Sequence, residues 1–368
     1  MRRWVPGVGV LAALLVAGCG GSSSKPTSTK AQLPISHGNG FTVGVVFDGP
    51  MLRPTIDLGA QMALARASGA QSVRISFSWA GGEPRPGTFA WGATDRVVLA
   101  AARHQLSLLP VVEYTPAWAG NGAANSPPRD PTTYGRFLAA LIARYGPSGS
   151  LWRANPAVTA EPIRSWQIWN EPDFSHYWVP QPFAPSYVRL LAAAHRAVKA
   201  ADPGAQVVLA GLPEFSWEYL AQILAVRGAA SDFDVAAAHP YTAHPAGVIT
   251  ILDRDRAALD AGGAGDKPLL ATEITWPSSQ GKAPPQFGVG VTEAEQAQLI
   301  AQVMPLLAAA RQQLKLEGFY WDTWMGDESP TPNPYGFNYA GLLAYRSGRI
   351  VAKPALAAFT RAVAPLER

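Results

Sequence analysis

The sequence predicts an α/β fold, a (β/α)8 TIM barrel occupying residues 41–368 as one domain. Three observations carry that expectation. From residue 41 the chain switches repeatedly between β-rich apolar runs and amphipathic Ala/Leu-rich stretches, and strands alternating with helices argue for a parallel sheet. The unit repeats eight times, which argues for closure into a barrel, and the length suits one barrel of ~250 residues or more with insertions. The second strand reads Ser72-Val73-Arg74-Ile75-Ser76-Phe77-Ser78. Its period of two sends Val73, Ile75 and Phe77 toward the helices and Arg74, Ser76 and Ser78 into the lumen.

The elements follow in order. Residues 42–47 (Thr-Val-Gly-Val-Val-Phe) read as a strand and 56–68, rich in Ala and Leu, as a helix. Next come strand 72–79 with helix 91–104, and strand 107–114 with helix 131–145. Strand 163–170 precedes helix 185–200, and strand 206–211 precedes helix 217–226. Strand 233–241 is followed by helix 247–261, strand 268–275 by helix 293–314, and strand 318–324 by the closing helix 354–363. No internal repeat is visible beyond this alternation.

The N-terminus lies outside the predicted domain. Arg2 and Arg3 precede an apolar run over residues 8–17. That run is shorter than the roughly 20 residues a spanning helix needs, so 1–18 read as an export signal. Leu15-Val16-Ala17-Gly18-Cys19 resembles the bacterial lipobox, which implies lipidation of Cys19, the chain's single cysteine. Residues 19–40 are rich in Ser, Thr, Lys, Gly and Pro and read as a flexible tether. The expected location is export, with a lipid anchor on the outer face of the membrane or secretion. An ordinary secretory signal with Cys19 placed by chance is the alternative.

Composition narrows the function classes. The chain is 48% hydrophobic and 15% charged with a net charge of +4. It has no dense Lys/Arg cluster, so nucleic-acid binding has no support. Six scattered histidines, no His-Glu-x-x-His and one cysteine in the signal disfavour a metal. No phosphate-cradling glycine loop is evident, and no cofactor is expected. Oligomeric state is open.

Two segments carry chemistry: Trp169-Asn170-Glu171-Pro172 and Thr272-Glu273-Ile274-Thr275-Trp276-Pro277. Each ends a strand-like run with a glutamate, just before a loop rich in Pro and aromatic residues. In such barrels the site lies at the C-terminal ends of the strands, and two carboxylates there are equipment for cleaving a glycosidic bond. Long loops over 116–130, 172–184, 277–291 and 325–341 carry Trp118, Phe174, Tyr177, Trp178, Phe183, Phe287 and Tyr335. Trp169, Trp276, Trp321 and Trp324 stand at strand ends. Aromatic faces pack on sugar rings, so Trp118, Trp169, Trp276, Trp321 and Trp324 are candidate substrate contacts; filling core is the alternative. Asp322 and Glu113 also end strands and are candidates to line the cleft. Glu171 or Glu273 capping a turn, Arg74 on a surface strand and His239 as a core histidine are the plainer readings.

These residues resemble the clan A glycoside hydrolases, retaining (β/α)8 enzymes. Arg74, Asn170-Glu171-Pro172, His239-Pro240-Tyr241 and Glu273 match that clan's motifs in order. Trp79, Glu83-Pro84, Trp91, Asp95 and Thr115-Pro116-Ala117-Trp118-Ala119 are similar to family 39 and related branches, and the Glu273 segment also resembles families 5 and 17. The resemblance covers essentially all of 41–365. It implies a single catalytic domain with a carbohydrate substrate, Glu171 as acid/base, Glu273 as nucleophile, Arg74 and Tyr241 holding Glu273, His239 bordering the site, and Asn170 bonding the sugar 2-hydroxyl. The negative charge of Glu273 is expected to keep Glu171 protonated. Sugar, linkage, and endo or exo attack stay open. A non-catalytic carbohydrate-binding lipoprotein and a two-lobed solute-binding lipoprotein are the competing functions.

Overall fold

The computed structural model describes residues 40–329 and 333–367. The predicted signal 1–18, Cys19 and the tether up to residue 39 lie outside the described residues. Nine strands join one sheet: β1 (Thr42–Phe47), β2 (Ser72–Ser78), β3 (Ser107–Glu113), β4 (Ser165–Ile168), β5 (Gln206–Val208), β6 (Leu212–Pro213), β7 (Ala236–His239), β8 (Leu269–Ile274) and β9 (Leu316–Trp321). Their order is β5-β4-β3-β2-β1-β9-β8-β7-β6, with parallel pairing throughout. A parallel bridge between Val208 and Val235 joins the two edges, supported by Leu209 N donating to Val235 O at 2.9 Å. The predicted strand 206–211 is therefore split: β5 and β6 share one barrel position, and eight positions close the ring.

Helices cover the outside: α1 (Leu58–Ala67), α2 (Trp79–Gly82), α3 (Gly92–Arg103), α4 (Pro131–Tyr145), α5 (Ser150–Ala154), α6 (Ala184–Ala201), α7 (Ser216–Leu224), α8 (Pro245–Ala261), α9 (Glu293–Leu314) and α10 (Pro354–Val363). Several of their starts are chemically marked. Asp57 accepts from Ala60 N, Asp130 accepts from Thr132 N, and Thr292 with Glu295 forms a capping box before α9. Among the described residues no helix is long and apolar enough to cross a membrane.

Strand alternation divides the apolar residues into two cores. Val43, Val45 and Phe47 of β1, Val73, Ile75 and Phe77 of β2, and Phe319 and Trp321 of β9 face the helices in the larger one. Val46, Leu109, Val208, Val235, Ala237, Leu270 and Tyr320 form a second, smaller cluster that fills the lumen. Arg74 and Ser76 enter the lumen as β2 predicts, but Ser78 turns away and accepts from Gly81 N to cap α2.

One region departs from the sequence expectation. β10 (Met325–Asp327), β11 (Leu343–Arg346) and β12 (Arg349–Ala352) form a small separate sheet beyond β9, where a long loop is expected. β12 is exposed along its length, so no alternation of buried and polar residues betrays it.

Candidate active site

Arg74 organises the upper lumen. From mid-β2 its side chain, only 4% exposed, donates three hydrogen bonds: Nε to Gln167 Oε1 at 2.7 Å, Nη1 to Glu273 Oε1 at 2.6 Å, and Nη2 to Asn170 Oδ1 at 2.7 Å. Gln167 in turn donates to Leu209 O at 2.9 Å. The guanidinium fork thus fixes β4 and β8 relative to β2.

Glu273 reaches this fork because β8 is irregular. Between the pairs Ala271↔Phe319 and Ile274↔Trp321, β8 spends three residues against two on β9. Leu269 and Ala271 pack against the helices, and plain alternation would send Glu273 outward with them. The bulge turns Glu273 inward and returns Ile274 to the outer core. The Tyr241 hydroxyl donates to Glu273 Oε2. Tyr241 is itself held by Phe287, stacked at 4.9 Å between ring centroids, and by Phe337 at 5.2 Å.

Glu171 follows β4 through a kinked backbone. Trp169 and Glu171 have φ of 70° and 39°, a left-handed region that costs non-glycine residues of order 1–3 kcal/mol. The Trp169 indole donates to Tyr177 O at 2.8 Å and Glu171 N donates to Gly211 O, which pin the turn. Behind Glu171 lies His239, fully buried, with Nδ1 2.7 Å from Glu171 Oε1 and Nε2 3.5 Å from Glu273 Oε1. Gly211 makes room for this ring: a Cβ there would lie 1.8 Å from His239 Nε2.

The two glutamates differ in charge state. Burial, then the charge of Glu273, pushes the Glu171 carboxyl well above the ordinary value. The sequence expectation names only the second cause. Burial acts on Glu273 in the same direction, but a charged His239, the Arg74 guanidinium and the hydrogen bonds from Tyr241 and Arg74 together outweigh it and hold Glu273 below the ordinary value. Burial pushes His239 itself down to about 4, so near neutral pH its ring is uncharged, and Arg74 and Tyr241 are the partners that keep Glu273 ionised. One proton-bearing and one ionised carboxyl therefore face the same space. One atom each of Glu171, His239 and Glu273 lie within 4.8 Å of one another, a spacing a metal ion could bridge. Those atoms already engage one another and Arg74, whose positive charge opposes a cation there.

The cleft above has a volume of about 530 Å³. Arg74, Asn170, Glu171, Tyr241 and Glu273 line it, as do Glu113 and Asp322. Asn170 spends its amide oxygen on Arg74, and its amide nitrogen, with no hydrogen-bond partner among the described residues, is left to the cleft. The tryptophan expectation needs correction. Trp169, Trp276, Trp321 and Trp324 are at most 1% exposed and belong to the helix-facing core. The indoles of Trp276 and Trp324 donate to Thr242 O and Gln61 Oε1. Trp118 packs on the same core and donates to Glu83 O at 2.9 Å. Alternation explains Trp321: Tyr320 faces the lumen, so its neighbour faces out. The aromatic lining is instead Tyr114, Phe174, Tyr177, Phe287, Tyr335 and Phe337. Asp48, Gln167 and Phe337 escape the sequence reading. Of these, Asp48 carries a usable signal, a polar residue just past a predicted strand.

The sequence matches no protein-family model and no curated protein. Solved structures share the fold. A family 39 glycoside hydrolase from Bacteroides cellulosilyticus WH2 superposes with a TM-score of 0.68 at 20% identity, over 89% of this chain and 64% of that one. A monomeric β-xylosidase from Caulobacter crescentus CB15 gives 0.64 at 19% identity, over 88% and 68%. A β-glucosidase from Exiguobacterium marinum gives 0.61 at 11% identity, over 90% and 99%. This chain thus spans just under two thirds of the family 39 structure. The likeness establishes the (β/α)8 barrel.

Proposed function

We propose that the protein is a retaining glycoside hydrolase that cleaves β-linked bonds of an extracellular poly- or oligosaccharide. The observation that carries this reading is the placement of Glu171 and Glu273 in one cleft, with Arg74 and Tyr241 on Glu273, an arrangement that raises the Glu171 carboxyl and lowers that of Glu273. Glu273 attacks the anomeric carbon while Glu171 gives its proton to the leaving oxygen, and a glycosyl ester forms on Glu273. Esterification removes the Glu273 charge, which lowers the pKa of Glu171. Glu171 then takes a proton from water as that water attacks the anomeric carbon and releases Glu273. The free Asn170 amide suits a bond to the 2-hydroxyl. The β-glycosidases that share the fold support the same reaction class.

The test is turnover of a panel of β-linked aryl glycosides and polysaccharides by the full chain, with the anomer of the first product read by NMR. A product that keeps the β-configuration is expected. An inverted product would remove the nucleophile role from Glu273, and sugar binding without turnover on any glycan would favour a binding protein. Export with lipidation of Cys19 is a separate part of the proposal, resting on the lipobox-like segment. Loss of membrane association in Cys19→Ala is its expected signature.

A further inference from the structure

The cleft holds more acid than the reaction uses. Besides Glu171 and Glu273, it is lined by Asp48, Glu113, Asp322 and Asp327, the last of which pairs with Arg53. The Lys/Arg side chain among the lining residues is Arg74, and each of its three nitrogens already donates, to Gln167, Glu273 and Asn170. Glu113 accepts from Ser76 at 2.7 Å, and Asp48 accepts from the Thr323 hydroxyl. Asp322 differs. It is 7% exposed and faces the cleft, and its carboxyl has no hydrogen-bond partner among the described residues. Buried polar groups in native proteins are paired, so an orphaned carboxyl at a cleft wall marks a place for a ligand group.

We propose that Asp322, with Asp48 beside it, receives a protonated amino group of the substrate, so that the glycan is a β-linked amino sugar polymer with free amines. This rests on the hydrolase reading and names its substrate class. A sugar hydroxyl could satisfy Asp322, but it would leave that carboxyl either protonated or, once ionised, repelled by Asp48 and Glu273. An ammonium pairs with the carboxylate and offsets that repulsion together. In the ligand-free cleft, burial and then the charges of Glu273 and Asp48 hold the Asp322 carboxyl well above its ordinary value. The aromatic wall adds to this: Tyr335, 51% exposed, and Phe337 offer ring faces that attract cations.

The experiment measures binding, so that it is independent of turnover. Calorimetry on the full chain carrying Glu171→Gln compares a chitosan oligosaccharide with its N-acetylated form and with a cello-oligosaccharide of equal length. The free amine should tighten binding roughly 10- to 100-fold, the range of a hydrogen bond to a charged group. Adding Asp322→Asn should remove most of that advantage, while Asp266→Asn, on an exposed residue outside the cleft lining, should leave it. Equal or tighter binding of either neutral ligand, no binding of the chitosan oligosaccharide, or an amine advantage that survives Asp322→Asn would overturn the proposal. If Asp322→Asn fails to fold, N-acetylation removes the same pair from the ligand side. Amine preference without turnover in the wild type would sink the hydrolase reading alone. Turnover of neutral glycosides without amine preference would sink this inference alone.

Discussion

At the N-terminal ends of the barrel strands the lumen is polar but neutral. Ser72 Oγ lies 2.8 Å from the Tyr320 hydroxyl, Ser165 donates to Gln206 Oε1 at 3.1 Å, and Gln71 accepts from Val43 N at 3.1 Å. At the C-terminal ends the lumen is charged, and part of it is left without hydrogen bonds among the described residues: the Asp322 carboxyl accepts none, and His239 Nε2 makes none. The apolar plug of Val46, Leu109, Val208, Leu270 and Tyr320 separates the two. Short neutral side chains can satisfy one another across neighbouring strands at little cost. Buried titratable groups left without a partner cost stability, and they persist where a ligand or a transition state supplies the partner. The lower layer is therefore built for folding, and the upper layer holds the groups that the proposed hydrolase would use.

Substitutions should separate the layers sharply. Glu273→Gln should lower kcat roughly 10⁴-fold or more while the melting temperature stays near wild type; residual activity near wild type would break the assignment. Glu171→Gln should cost about 10²- to 10⁴-fold on substrates with poor leaving groups. Its effect on the first step should shrink for activated aryl glycosides, whose leaving oxygen needs no proton; equal losses on both would remove the acid role.

Arg74→Met should cost about 3–5 kcal/mol of stability, since it leaves the Glu273 charge buried without its partner. It should also move the acidic limb of the pH–rate profile upward, because Glu273 loses the guanidinium that holds it ionised. Glu113 gives a pH test. Burial pushes its carboxyl up to about 7 from 4.5, against the opposing Ser76 hydrogen bond and Arg74 charge. The folded protein then holds a proton that the unfolded chain releases, so stability falls as pH rises from 4.5 to about 7, by about 3 kcal/mol in all. Denaturant midpoints of Glu113→Gln across that window should lose this slope. In the lower layer, Tyr320→Phe should cost about 1 kcal/mol through the lost Ser72 contact and leave kcat unchanged. A large activity loss there would erase the distinction between the layers.

Much of this is legible in the chain. The eight strand–helix units are local matters of periodicity and capping, and helices 131–145, 293–314 and 354–363 coincide with α4, α9 and α10. Glu171, Glu273, Arg74 and Tyr241 converge because each occupies or follows a strand of one closed barrel. The tryptophans show the limit. Their position at strand ends suggests substrate contact, whereas the parity of β9 places Trp321 in the outer core beside a lumen-facing Tyr320.

The chain's own pattern dictates the alternation of elements, hence the barrel, and which end of it carries the polar chemistry. Tertiary packing alone settles which way Glu273 points: plain alternation would turn it outward, and the β8 bulge against β9 turns it inward. Packing also settles which groups are orphaned. Whether Asp322 or Glu113 finds a partner depends on side chains brought together from distant strands, and no local pattern encodes that meeting.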